Sequence, residues 1–241
     1  MTTATSLALC FDAPMQSWGT RSRGIIRDTM LEPTKSGVVG LIAAALGISR
    51  EDDHAIAELA RLKLAVRVDR EGILERDYHT TQNVPTTKGT GHRTVVSERY
   101  YLADALFLVV LEGDEHLLSR IASAVDRPHW PIFFGRRAFV PARPLLPLNG
   151  GPVGSTAEGL LMREPWLEMS KTVRDIELSK TERADLRTVV DCPATDRRAE
   201  VRHDHPVSLA EGRRRYATRT VLVEQVSLTD SMITTGDSSC S

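Results

Sequence analysis

The residues of this chain best suited to chemistry on a polyanion are two arginines behind a glycine, bracketed by aromatics: Phe133-Phe134-Gly135-Arg136-Arg137-Ala138-Phe139-Val140-Pro141. Each guanidinium offers a planar fork of donors that matches a phosphate. Glycine permits a tight turn, and rings beside the charges can take an unstacked base, so the pattern suits single-stranded RNA. The same residues also describe a loop anchored by Phe134 and Phe139 with solvated arginines, and residue types leave these two readings even. A second candidate is Lys35-Ser36-Gly37, where a polar, glycine-bearing loop enters a helix. Backbone N–H groups at a helix start can hold a phosphate. Gly37, in the first turn, is open to that role, whereas Gly40 reads as packing. Upstream, Gln16-Ser17-Trp18-Gly19 puts an indole among polar residues. It could stack a base or plug the core beneath the loop.

Enzyme chemistry finds less support. No nucleophile elbow, Walker loop or dinucleotide fingerprint occurs. His203-Asp204-His205, with Asp191 and Cys192 upstream, has residue types for a metal site. The segment is charged and runs into Pro206, so it reads as a solvated loop. Tyr78, His79, Lys88 and His92 are the raw material of a metal-free ribonuclease. That chemistry needs a base, an acid and a cation around one phosphate, and four polar residues in an insertion do not supply that geometry.

These candidates need elements to position them. Ser6 to Phe11 alternates, with Leu7, Leu9 and Phe11 on one side, and predicts a half-buried strand. Thr34 to Leu46 predicts a helix with Thr34 as N-cap, a stripe of Val38, Leu41, Ile42, Ala45 and Leu46, and Gly47 as C-cap. A second helix is expected over Asp53 to Arg61, then an alternating strand over Leu62 to Asp69. The apolar run Leu106 to Leu111 fits a central strand, and Asp114 caps a helix with Leu117, Leu118, Ile121 and Val125 on its core face. Ala138 to Pro144 is expected as an edge strand bounded by prolines. The order strand, helix, strand, strand, helix, strand predicts an α+β, ferredoxin-like domain of the RNA-recognition type.

Between the middle strands, about Arg76 to Arg99 lacks Leu, Ile, Phe and Met and centres on Pro85-Thr86-Thr87-Lys88-Gly89-Thr90-Gly91. It reads either as an exposed β-hairpin or as a disordered loop. Asn149-Gly150-Gly151-Pro152 marks a boundary. The expected organisation is a domain over 1–148, a small β-rich region over 149–228, and a fraying tail over 229–241.

The chain has 241 residues, 41% hydrophobic and 26% charged, with 31 Lys and Arg against 32 Asp and Glu. A net charge of −1 argues against a promiscuous, free-standing nucleic-acid binder. Local basic patches remain, at Arg21, Arg23 and Arg27, at Arg136, Arg137 and Arg143, and at Arg213, Arg214, Arg215 and Arg219. Three cysteines without CxxC spacing fit a reducing compartment. No leader pattern or membrane-length apolar run occurs, so a cytoplasmic protein without membrane attachment is expected.

Three stretches together carry a family resemblance: Ala13-Pro14-Met15-Gln16-Ser17-Trp18-Gly19, Pro33-Thr34-Lys35-Ser36-Gly37-Val38-Val39-Gly40-Leu41-Ile42, and Phe134 to Pro141. With Arg215-Tyr216-Ala217-Thr218-Arg219-Thr220, the chain resembles the CasD subunits of type I-E Cascade, the CRISPR surveillance complex. The resemblance implies a ferredoxin-like domain with an inserted thumb hairpin, here Arg76 to Arg99, and a small C-terminal β region. It implies binding of the 5′ handle of CRISPR RNA, capping of the CasC backbone filament, a neighbouring CasA subunit, and access to target DNA through the complex. No cofactor, metal or catalytic residue is implied. Lys35, Ser36, Gly37, Arg136 and Arg137 are then expected on RNA backbone, and Gln16 and Trp18 orienting or stacking the handle, with Ser17 and Arg21 beside them. Lys88, His92 and Arg93 are expected on the guide and on CasC. The rival expectations are a metal-independent endoribonuclease acting on repeat RNA and a structural adaptor without RNA contact.

Overall fold

The computed structural model describes residues 4–20, 24–87, 89–147 and 150–234; Arg21 and Lys88 lie outside them. The fold is mixed α+β with largely antiparallel sheets. Strand β1 (Thr5–Asp12) leads through the two-residue strands β2 (Met15–Gln16) and β3 (Ile26–Arg27) into helices α1 (Lys35–Leu46) and α2 (Asp53–Ala60). Strand β4 (Lys63–Arg70) follows, then the long pair β5 (Ile73–Pro85) and β6 (His92–Ala103), then β7 (Leu106–Gly113) and α3 (Glu115–Asp126). The remainder comprises β8 (Val153–Gly154), α4 (Ala157–Arg163), α5 (Lys171–Ser179), β9 (Asp185–Asp191), β10 (Glu200–Ser208), β11 (Arg215–Ser227) and α6 (Asp230–Thr234).

The main sheet has the order β10-β11-β9-β4-β7-β1-β8. Strand β7 lies between β1 and β4, antiparallel to both, so its unbroken apolar run faces packed side chains on each side of the sheet. Leu7, Leu9 and Phe11 join Val38, Ile42, Leu118 and Ile121 in the larger core. Ala8, Ala65, Leu108 and Val110 point the other way, beneath Leu160 and Leu161 of α4. Arg67 lies on that second face, fully buried, clasping Asp69 through Nε at 2.6 Å and Nη2 at 2.9 Å. Its remaining N–H groups donate to the carbonyls of Leu161, Glu164 and Pro165, where α4 ends. A buried charge is tolerated when it is paired and its donors are used, and here that arrangement docks α4.

The helix ends follow the sequence. The Thr34 hydroxyl accepts the Gly37 N–H at 3.2 Å, and Gly47 closes α1 in the left-handed region at φ +73°. Asp114 accepts the Leu117 N–H at 2.9 Å.

The polar insertion is a hairpin, longer than expected, because the β5–β6 ladder runs from Ile73↔Ala103 to Pro85↔His92. At its base β6 also holds β2 and, in parallel, β3. Ala138 to Pro144, expected as an edge strand, forms no ladder. It follows β1 with only Ala142 N–H to Asp12 O (2.8 Å) and Cys10 N–H to Leu145 O (2.7 Å) nearby. Pro141 and Pro144 remove the donors a ladder would need. The strand beyond β1 is instead β8. His203-Asp204-His205 is not a solvated loop either. It lies within β10 with Asp204 buried, and Pro206 is accommodated because β10 is the sheet's edge. The stretch expected to fray begins with α6, whose Met232 and Ile233 pack on Trp166 and Leu186, while residues 235–241 lie outside the described part.

Candidate nucleic-acid interface

A cleft of about 1170 Å³ runs along α1, walled by the 130–137 segment and by the turn between β10 and β11. Gly37, Gly40 and Ala44, spaced to share one helix face, make its side along α1 low and smooth. Arg27, Arg50, Arg136, Arg137 and Arg214 line it, against Glu51 and Glu211, so the cleft is cationic on a chain of net charge −1. Ser17, Ser36 and Gly37 also line it.

The arginine loop is fixed by backbone. Phe134 N–H donates to Phe139 O at 2.7 Å, Phe139 N–H to Arg136 O at 2.8 Å, and Ser17 N–H to Phe134 O at 3.0 Å. Gly135 sits at φ +93°, where an added Cβ would lie 2.0 Å from the Ser17 carbonyl oxygen, so only glycine fits. The Phe134 ring is buried against Phe11 (4.9 Å) and Trp18 (5.7 Å). This places the two arginines differently. Arg136 donates to Tyr100 O at 2.8 Å and lies over the Phe139 ring at 5.1 Å. Burial first, then the like charge of Arg99, lowers its pKa from the ordinary arginine value. Arg137 is exposed and pairs with no carboxylate among the described residues. Arg136 is therefore a held, oriented cation, while Arg137 is available to a ligand.

Three expected contacts change role. Gln16 is fully buried: its Nε2 donates to Phe11 O (3.1 Å) and Ala105 O (2.8 Å), and its Oε1 accepts the Trp18 indole N–H (3.2 Å). Trp18 is 2% exposed and stacked on Phe11 at 5.6 Å. It plugs the core under the cleft, with its ring against α1: a Cβ on Gly37 would come within 2.9 Å of it. Neither residue presents a face to a base. Lys35 is also buried. Its Nζ meets Asp191 Oδ2 at 2.6 Å, and its backbone N–H meets Asp204 Oδ2 at 2.7 Å. Arg219 bridges the same two carboxylates, and Asp191 also accepts the Leu64 N–H. The anion at this helix start is the chain's own Asp204, and Lys35 fastens β9 and β10 to α1. Burial pushes the Asp191 carboxyl up, but Arg219 and Lys35 outweigh it and hold its pKa below the ordinary value.

His92 and Arg93 are exposed at the far end of β6, away from the cleft lining. His79 stands opposite Ser97 while His92 stands opposite Pro85, roughly 20 Å apart along the ladder. The described members of the ribonuclease set are not brought together. Sequence reasoning missed Arg50, Trp130 and Tyr216 as cleft residues, and treated Arg27 and Arg214 only as patches. The available signal for Trp130 was its setting, Pro128-His129-Trp130-Pro131, which keeps an indole on a rigid surface segment.

Residues 6–222 match the family described as CRISPR-associated protein (Cas_Cas5). The Escherichia coli K12 protein described as CRISPR system Cascade subunit CasD is 34% identical over 174 residues, 66% of this chain and 77% of that one. A crystal structure of a Cas protein is 35% identical with a TM-score of 0.70, covering 92% of this chain and 95% of that one. A chain of a CRISPR RNA-guided surveillance complex is 31% identical with a TM-score of 0.77, covering 94% and 92%.

Proposed function

The chain belongs to the Cas5 family of CRISPR-associated proteins, and on that premise we propose that it is a non-catalytic, RNA-binding subunit of a Cascade surveillance complex. It holds the 5′ handle of CRISPR RNA in the arginine-lined cleft and caps the CasC filament, with CasA alongside and target DNA reached through the assembly. The observation that carries this reading is convergence. The loop at Ser17, the first turn of α1 and the 133–139 loop are far apart in sequence, yet they meet at one cationic cleft. A flexible polyanion needs such a surface, since phosphate contacts position a strand.

The finer architecture follows the same reading. The order β8-β1-β7-β4, with helical crossovers after β1 and β7, is that of a ferredoxin-like split βαβ unit. The β5–β6 hairpin is its thumb, offering His92 and Arg93 to the guide and to CasC, and the strands after residue 149 form a β-rich C-terminal region. The separation of His79 from His92 weighs against the endoribonuclease alternative. Among the described residues no helix is long and apolar enough to cross a membrane, and a cytoplasmic complex suits this reading.

Co-purification with CasC and guide RNA tests the site. Arg136→Ala with Arg137→Ala should lower handle occupancy at least ten-fold, on the order of two lost charge-assisted contacts. Undiminished occupancy would sink the assignment, and specific cleavage of repeat RNA by the pure chain in EDTA would revive the nuclease.

A further inference from the structure

Of the three tryptophans, Trp18 and Trp166 are 2% and 7% exposed, and each gives its indole N–H to an internal acceptor, Gln16 Oε1 and Asp69 O. Trp130 is 42% exposed and its indole N–H meets no acceptor among the described residues. It is nevertheless held firmly. Its backbone N–H donates to Ala44 O at 3.2 Å, and the adjoining His129 N–H donates to Ala45 O at 2.9 Å, so the segment is laced to the last turn of α1. The His129 ring sits edge-on to the indole, with centroids 4.8 Å apart and planes at 76°. His129 in turn packs on Gly47, where a Cβ would come within 2.9 Å of the imidazole. Trp130 lines the cleft together with Arg50 and Arg137.

Leaving a large apolar ring in water costs the burial free energy it could have gained elsewhere, and here the backbone and a supporting ring fix it in that position. A rigid aromatic face beside arginines is what an unstacked base requires, because stacking is tolerant of sequence while cations hold the flanking phosphates. A protein side chain is the poorer fit: Ile48, Ile132 and Leu209 also line the cleft, but Arg27, Arg50, Arg136, Arg137 and Arg214 against Glu51 and Glu211 favour a polyanion, whose phosphates and bases use both kinds of lining. We propose that Trp130 is the stacking platform for one unpaired base of the strand in this cleft, with Arg50 and Arg137 on the neighbouring phosphates. The inference rests on the cleft being an RNA site and assigns the base contact that Trp18 does not make.

The test uses the full chain with two single-stranded probes: rA8 and an abasic ribose-phosphate 8-mer, which keeps the charges and removes the base faces. With the other two indoles buried, quencher-accessible emission reports Trp130. The expected result is that rA8 shields and quenches that emission and the abasic strand does not. Trp130→Ala should bind rA8 on the order of 10-fold more weakly and bind the abasic strand as the parent does, with Trp130→Phe recovering most of the loss. Equal weakening for both probes, or none for rA8, overturns the stacking role. So does a change in Trp130 emission that appears on adding the neighbouring protein subunits without RNA. If the unmodified chain binds neither probe, the cleft assignment falls as well. If it binds both and only the Trp130 variants behave as the parent, the cleft assignment stands and the stacking role alone is refuted.

Discussion

Replacing Lys35 with methionine should make the chain easier to unfold without loosening its hold on RNA. Lys35 begins α1 in a glycine-bearing turn, the setting in which a lysine would meet a phosphate, yet its side chain is 7% exposed and pairs with Asp191 at 2.6 Å. Methionine keeps most of the buried stem and removes the charge. Losing one partner of a buried ion pair costs about 3–5 kcal/mol when the other is stranded. Asp191 is not fully stranded, because Arg219 and the Leu64 N–H remain, and Asp204 still receives the Lys35 backbone N–H. The expected cost is therefore lower, about 2–3 kcal/mol. In a chain of this size each kcal/mol moves the melting midpoint by about 2 °C, so the variant should melt about 5 °C lower. The discriminating measurement is the salt dependence of RNA affinity. Each phosphate contact on a single strand adds about 0.7 to the slope of log K against log salt. A lysine facing inward leaves that slope where it was. An unchanged melting midpoint with a slope reduced by about 0.7 would show that Lys35 does face RNA and that the buried pair is not what holds β9 and β10 to α1.

What the sequence made legible was local. Thr34, Gly47 and Asp114 announce helix ends because capping depends on residues three or four apart, and each caps as read. The apolar periods of β1, β4 and α3 named their own core faces in the larger core, and the unbroken apolar run of β7 marked a strand covered on both sides. Lys35 with Asp191 is a pair 156 positions apart, and no spacing rule reaches it. The same holds for Arg67, which reads as a solvent-facing position on an alternating strand until α4 covers that face. Trp18 and Trp130 show the limit most directly. Both are indoles in polar or proline-bounded segments, and only tertiary placement decides that one is 2% and the other 42% exposed. Ala138 to Pro144 lies where a strand was expected, but the proline donors lost there outweigh the extended backbone that suggested it.

Two further outcomes follow. Gly135→Ala should cost at least about 2 kcal/mol, from a left-handed backbone plus a methyl driven to 2.0 Å from Ser17 O, and the displaced loop should carry both arginines out of the cleft. Unfolding together with handle-RNA affinity checks it, and parental values of both would show that the loop does not depend on glycine there. Stability should also fall in two steps with acid. Burial, then the nearby Lys35 charge, lowers the His205 pKa from the ordinary 6.5. As pH drops, the unfolded chain therefore takes that proton first, and the contribution present above about pH 6.5 is lost below it. Asp191, held below its ordinary 3.8, behaves likewise lower down: the unfolded chain protonates first, and the stability its pairs provide is lost as pH falls through and below that value. Because His205 is only half-buried, its step is the smaller one. Urea midpoints between about pH 8 and 3 resolve the two steps, and His205→Gln should abolish the upper while sparing the lower. An upper step that survives this substitution would place the titrating group elsewhere, and a flat lower step would mean that the Lys35–Asp191–Arg219 cluster does not hold the C-terminal strands to α1.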